Sequence, residues 1–127
     1  MKEILLIIIP LLMGVESNYD ADAINISENA VGILQIRPIL VDDVNRIINK
    51  DYHFKYKDRY DVQKSVEMCA NYLMHYHNKY VTYNPNTEMS DYEICARLWN
   101  GGYEGLKRNP NATNKYWSKV KLLKEVK

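Results

Sequence analysis

Apolar residues along the chain gather into stretches of helical spacing, separated by polar segments rich in Asn, Asp, Gly and Pro. The first stretch, "ILLIIIPLLMGV" at 4–15, is close to pure hydrocarbon and predicts a buried helix, kinked at Pro10 or beginning near it. At about 12 residues it falls short of the ~20 that a membrane span requires. A lysine near its start and a small residue at Gly14 also suit an export signal. Cleavage there would leave the following Glu16 at a fraying terminus, and the core-helix reading of residues 1–15 is preferred.

After a loop at 18–29, Pro38 is well placed to open a second helix, with Val41, Val44, Ile47 and Ile48 at helical spacing. A charged aromatic connector, "DYHFKYKDRY", follows. Val62, Val66, Cys69, Leu73, Tyr76 and Tyr80 then mark the cleanest amphipathic helix, expected at the centre of the core. "SDYE" at 90–93 is a capping box opening a helix through Ile94 and Leu98, which the pattern ends at "NGG". "YEGLKRNPNA" reads as loop, and Thr113 as the cap of a last helix bearing Tyr116, Val120 and Leu123. No alternating strand of convincing length and no repeat is found. The fold class is all-α, about five helices, and the whole chain, 1–127, reads as one domain.

Composition narrows the function classes. With 127 residues, 46% apolar, the chain can build one real core. Seventeen bases against sixteen acids give a formal charge of +1, which argues against nucleic acid as partner and offers an anionic membrane no overall attraction. Eleven tyrosines against one Phe suit cores and sugar-binding grooves alike. Cys69 and Cys95 are read as small buried hydrophobes in preference to a bridge. His75 and His77, two apart, point in different directions on a helix, and no Cys/His cluster has metal spacing.

Glu16 stands out because it directly follows the hydrocarbon run. At a helix C-terminus among Leu12, Met13 and Val15, both the dipole and the scarcity of water disfavour its charged form. A carboxyl still protonated near neutral pH can donate to the leaving oxygen of a glycosidic bond. Taken alone, Glu16 reads first as a surface glutamate at a helix end, since perturbed acids are the minority.

Its surroundings favour chemistry. "ES", then "NIS", then "AVGILQIRP" resembles the signature of the lysozyme-like lytic transglycosylases: a catalytic Glu-Ser, an Ala-x-Ser element and a Gly-Leu-Met-Gln-Ile-x-Pro segment. Downstream, "RYDVQKSVEMCANYLMHY" is similar to the helix before that family's last motif. "ICARLWNGG" is similar to its Ala-x-Ala-Tyr-Asn-x-Gly block, and "TNKYWSKV" to its terminal Thr-x-x-Tyr-x-x-Val pattern. The resemblance covers nearly the whole chain in order, and implies a lysozyme-like fold with a sugar-binding groove.

Position by position, the resemblance makes Glu16 the sole catalytic acid/base and Ser17 its neighbour. It places Ser27 near the sugar at the cleavage point, with a turn-capping serine as the competing reading. Gly32 lets backbone approach ligand or helix closely, and the Gln35 amide can donate to and accept from an N-acetyl group, a buried structural Gln being its rival. Asn100 matches the Asn of the last block, although "NGG" alone is a helix exit. Trp99 stands where the family has Tyr, which keeps a stacking face and loses a hydroxyl that Tyr103 could replace. Asn29, near a customary Gly, tolerates the left-handed conformation. These departures, with Arg37-Pro38 and "LVDDVNRI", imply a divergent branch of the kind expected in a bacteriophage or a Bacteroidetes-like bacterium.

The implied substrate is peptidoglycan, cleaved between N-acetylmuramic acid and N-acetylglucosamine to leave a 1,6-anhydro end, with no metal or cofactor. Action then lies in the periplasm or wall, reached by secretion or phage delivery, without stable membrane insertion, and with virion or lysis components as further partners. A lysozyme-type hydrolase is the alternative and needs a second carboxylate, for which Asp20, Asp22, Glu28 and Glu104 are candidates. A wall-binding or virion structural module without turnover is the other.

Overall fold

Five α-helices and one very short β-ribbon make up a computed structural model of the protein, which describes residues 1–126. The helices are α1 (Lys2–Ser17), α2 (Pro38–Ile47), α3 (Val62–Tyr83), α4 (Asp91–Arg108) and α5 (Asn114–Val126). The all-α class expected from the sequence is what the chain adopts. The residues form two compact units, one from 1–15 and 73–127, the other from 16–72.

In the first unit, α1 buries Leu5, Ile8, Ile9, Leu11 and Leu12, leaving Leu6 and Ile7 exposed. The helix begins at Lys2 and includes Pro10, so it does not start at the proline. Pro10 removes the donor that the Leu6 carbonyl would receive in a regular helix. Both residues are exposed, so water can serve that carbonyl.

Helix α4 opens as the pattern predicts, with the Ser90 hydroxyl accepting from the Glu93 backbone N–H at 3.1 Å. It does not end at "NGG". Gly102 leaves helical geometry at φ 75, ψ 170, and the chain then resumes its helix as far as Arg108. The expected loop is therefore helical over "YEGLKR", and only "NPNA" and Thr113 depart, the latter within a 3-10 turn at Pro110–Thr113.

Arg97 holds that turn in place. Its guanidinium donates to Glu93, the Pro110 carbonyl, the Thr113 hydroxyl and the Asn114 side chain, all within 2.9 Å. Thr113 donates to the Pro110 carbonyl, is buried, and directly precedes Asn114, the first residue of α5, at the position expected of its cap. Val120 is the residue that α5 buries. His77, on α3, pairs with Asp91 at 2.7 Å.

In the second unit, the loop expected at 18–29 contains β1 (Ile24–Asn25), which pairs antiparallel with β2 (Ala30–Val31). Strands of two residues carry no periodicity to read. The turn between them is a 3-10 segment, Ile26–Glu28, closed by Asn29 at φ 51, ψ 39, the left-handed geometry anticipated for that Asn. Helix α2 starts at Pro38 with Arg37 extended before it, as the proline ring demands, and buries Val41 and Val44. Of the face expected for α3, Cys69, Leu73 and Tyr80 are buried and Val62 is exposed, and Ser65, Met68 and Tyr72 beside it are buried as well. Both cysteines are buried, and neither forms a disulfide among the described residues.

Candidate active site

Helix α1 ends at Ser17, so Glu16 stands half-buried in its last turn, at the negative pole of the helix. The chain leaves through Asn18 and Tyr19, both at positive φ (53 and 64). Asn enters that region readily, whereas Tyr does so at a cost on the order of 1 kcal/mol. The Ser17 hydroxyl donates to the Ile33 carbonyl at 2.7 Å and accepts from the Asp20 N–H at 3.1 Å. The residue after the acid thus fastens the acid's helix end to the segment 32–35.

That segment is tightly built. Gly32 sits at φ 85, and a Cβ on it would lie 1.9 Å from the Arg59 carbonyl oxygen. Its close approach is therefore to protein backbone. Gln35 has φ 52, and its amide nitrogen donates to the carbonyls of Gly32 (2.9 Å) and Ala23 (3.1 Å). Both amide protons are spent internally, so the structural reading holds for the nitrogen and the amide oxygen is the end left to accept from a ligand.

Arg59, which the sequence did not single out, organises this region. It is buried, its Nε donates to the Tyr56 carbonyl at 2.8 Å, and its Nη1 donates to the carbonyls of Asn29 (2.8 Å) and Ile36 (3.0 Å). One guanidinium ties the ribbon turn to the end of the 32–35 segment. Burial pushes its pKa below the usual arginine value. The Ser65 hydroxyl in turn donates to the Arg59 carbonyl at 2.9 Å, fixing the oxygen that Gly32 faces. Next to it, burial alone would raise Asp58, but the Lys55 backbone N–H and the Lys64 ammonium hold it below the ordinary aspartate value.

Ser27 lies exposed on the ribbon turn and donates to the Asn25 side chain at 2.9 Å. Asn25 donates to Glu28, and Glu28 pairs with Arg37 at 2.7 Å. The other acids considered as a second carboxylate are also exposed. Asp20 accepts from the Asp22 N–H, and Glu104 pairs with Arg108 one helical turn on.

The remaining site residues belong to the other unit and lie around the break in α4. Trp99 is half-buried and Asn100 exposed, one turn before Gly102. A Cβ on Gly101 would come within 2.7 Å of the Thr113 methyl, so the glycine admits the 3-10 turn. Tyr103 is buried, its ring 5.8 Å from that of Tyr76 and beneath the Lys79 ammonium at 4.5 Å. Its ring is part of the packing.

Among the described residues, no group of three His, Cys, Asp or Glu side chains is arranged to hold a metal ion. A family model described as "Transglycosylase SLT domain" matches residues 1–119. No curated protein and no solved structure matches the chain.

Proposed function

Because the chain belongs to the transglycosylase SLT domain family, we propose that it is a peptidoglycan lytic transglycosylase with Glu16 as its single acid and base. The family is one of glycan-cleaving enzymes acting on peptidoglycan, so its work lies outside the cytoplasm. The observation that carries the finer reading is the fastening of Glu16. A catalytic carboxyl must be held to within a fraction of an ångström, and the helix end that carries Glu16 is bonded through Ser17 to the Ile33 carbonyl.

The first step requires a protonated carboxyl. Glu16 gives its proton to the oxygen linking N-acetylmuramic acid to N-acetylglucosamine, and the C1–O bond breaks. The acetamide of the muramic sugar carries the positive charge that develops at C1. Glu16, now a carboxylate, takes the proton of that sugar's 6-hydroxyl as O6 closes on C1. The acid is regenerated, the product ends in 1,6-anhydromuramic acid and no water is consumed. Ser27, the Gln35 amide oxygen, Trp99 and Asn100 are the groups proposed to contact the glycan.

The test is mass spectrometry of fragments released from purified peptidoglycan, with Glu16→Gln alongside. Anhydro-ended fragments that fall by at least about 100-fold in the variant are expected, since the amide cannot donate and recover a proton. Reducing ends would mean hydrolysis, and binding without release would mean a non-catalytic module.

A further inference from the structure

The +1 charge of the chain is unevenly laid down. From Lys107 onward, seven lysines and arginines face the single acid Glu125, whereas residues 16–72 hold ten acids and seven bases. Helix α5 carries half of the excess and buries only Val120. On its side away from Val120, Lys115, Lys119, Leu122 and Val126 recur at helical spacing, and all four are exposed, the leucine by 64% and the valine by 77%.

Hydrocarbon continues onto α1. Leu122, Leu123 and Val126 border a shallow apolar depression of about 290 Å³ with Gly14, Val15 and Lys119. Gly14 shares a face of α1 with Ile7 and Pro10, both exposed, and Leu6 beside them is exposed by 74%. Lys121 and Lys124 stand on other sides of α5, their ammoniums 5.7 Å and 4.0 Å from the ring centres of Trp117 and Tyr92.

Aliphatic side chains rimmed by lysines fit the boundary of an acidic bilayer, where headgroup phosphates take the ammoniums and the acyl region takes the hydrocarbon. A second copy docked face to face would set lysines against lysines. A polyphosphate or nucleic acid would use the cations and leave Leu6, Leu122 and Val126 in water. We propose that the face formed by α1 and α5 docks the protein onto an anionic lipid surface. No described helix is long and apolar enough to cross a membrane, and the docking is interfacial.

The test is co-sedimentation of the full chain with vesicles of phosphatidylcholine, alone or with one third phosphatidylglycerol. Binding to the acidic vesicles is expected to be at least about tenfold tighter, and Lys115→Gln with Lys119→Gln to weaken it by about 25-fold, near fivefold per lysine. Leu122→Ser with Val126→Ser should weaken it about tenfold or more even at high salt, where the charges are screened. All four positions are exposed, so the variants should keep the wild-type circular dichroism. Equal binding to both vesicles, or none, overturns the proposal. So does capture of polyphosphate in place of lipid with no effect of the aliphatic pair, or dimerisation that this pair abolishes. Lipid binding is read without glycan cleavage, so either proposal can fail alone.

Discussion

Gly32→Ala is the substitution that most directly probes how the acid is held. Its backbone sits at φ 85, where an L side chain costs roughly 1–2 kcal/mol. The added methyl would also meet the Arg59 carbonyl oxygen at 1.9 Å, a distance that real contacts do not reach. One backbone must give way by about 1 Å, and forced overpacking of this kind adds about 1–3 kcal/mol. The oxygen cannot yield easily, because Ser65 donates to it and the Arg59 side chain is itself tied at three carbonyls.

The expected loss is therefore about 2–5 kcal/mol, which at ordinary slopes lowers the urea midpoint by roughly 1–3 M. Gly105→Ala is the internal control. Gly105 is helical with open space at its Cβ position, and alanine there should stabilise by about 0.5–1 kcal/mol. If the segment moves, Ile33 moves with it and the Ser17 bond is strained, so the surviving folded Gly32→Ala protein should also cleave peptidoglycan more slowly. A Gly32→Ala midpoint within about 0.3 M of wild type would refute the packing argument.

Arg59→Met should cost about 2–4 kcal/mol by urea unfolding, because the Asn29 and Tyr56 carbonyls lose charged donors, partly offset by removing a buried charge. Arg59→Lys should recover less than half of this, since one ammonium cannot span all three carbonyls, and a Met variant as stable as wild type would show that burial cancels the bonds. Asp58, held below its ordinary value of 3.8, binds its proton less readily folded than unfolded. Its stabilisation is therefore complete above the unfolded value and lost as pH falls through the folded one; the stability gap between wild type and Asp58→Asn should shrink between pH 6 and pH 2.5, and a constant gap would contradict this. Burial, with a smaller contribution from Asp91, pushes the Cys95 thiol up to about 12, and Cys69 is also fully buried. Neither should react with a thiol reagent at pH 8 until urea unfolds the chain, and a fast-labelling cysteine in the native protein would count against the core described.

What the sequence disclosed follows the range over which each interaction acts. Glu16, Ser17 and the Asn29 turn were legible because their meaning is local: a helix end, the residue after it and one left-handed position lie within a few residues. The capping of α4 by Ser90 was legible for the same reason. Arg59 was not, since the carbonyls it holds are 30 and 23 residues away and a charged residue in "KYKDRY" reads as solvated until those carbonyls are placed. The continuation of α4 past "NGG" was hidden similarly: Gly102 does break the helix, but Arg97 gathers Pro110, Thr113 and Asn114 and so holds in place the turn on which the resumed segment ends. Net charge conceals distribution in a third way. A sum of +1 is an average over a basic C-terminal stretch and an acidic middle, and a field depends on where charges stand. The chemistry of Glu16 and the surface of α5 are thus read by different rules, one from adjacency in the chain and the other from which charges and hydrocarbon a fold leaves uncovered.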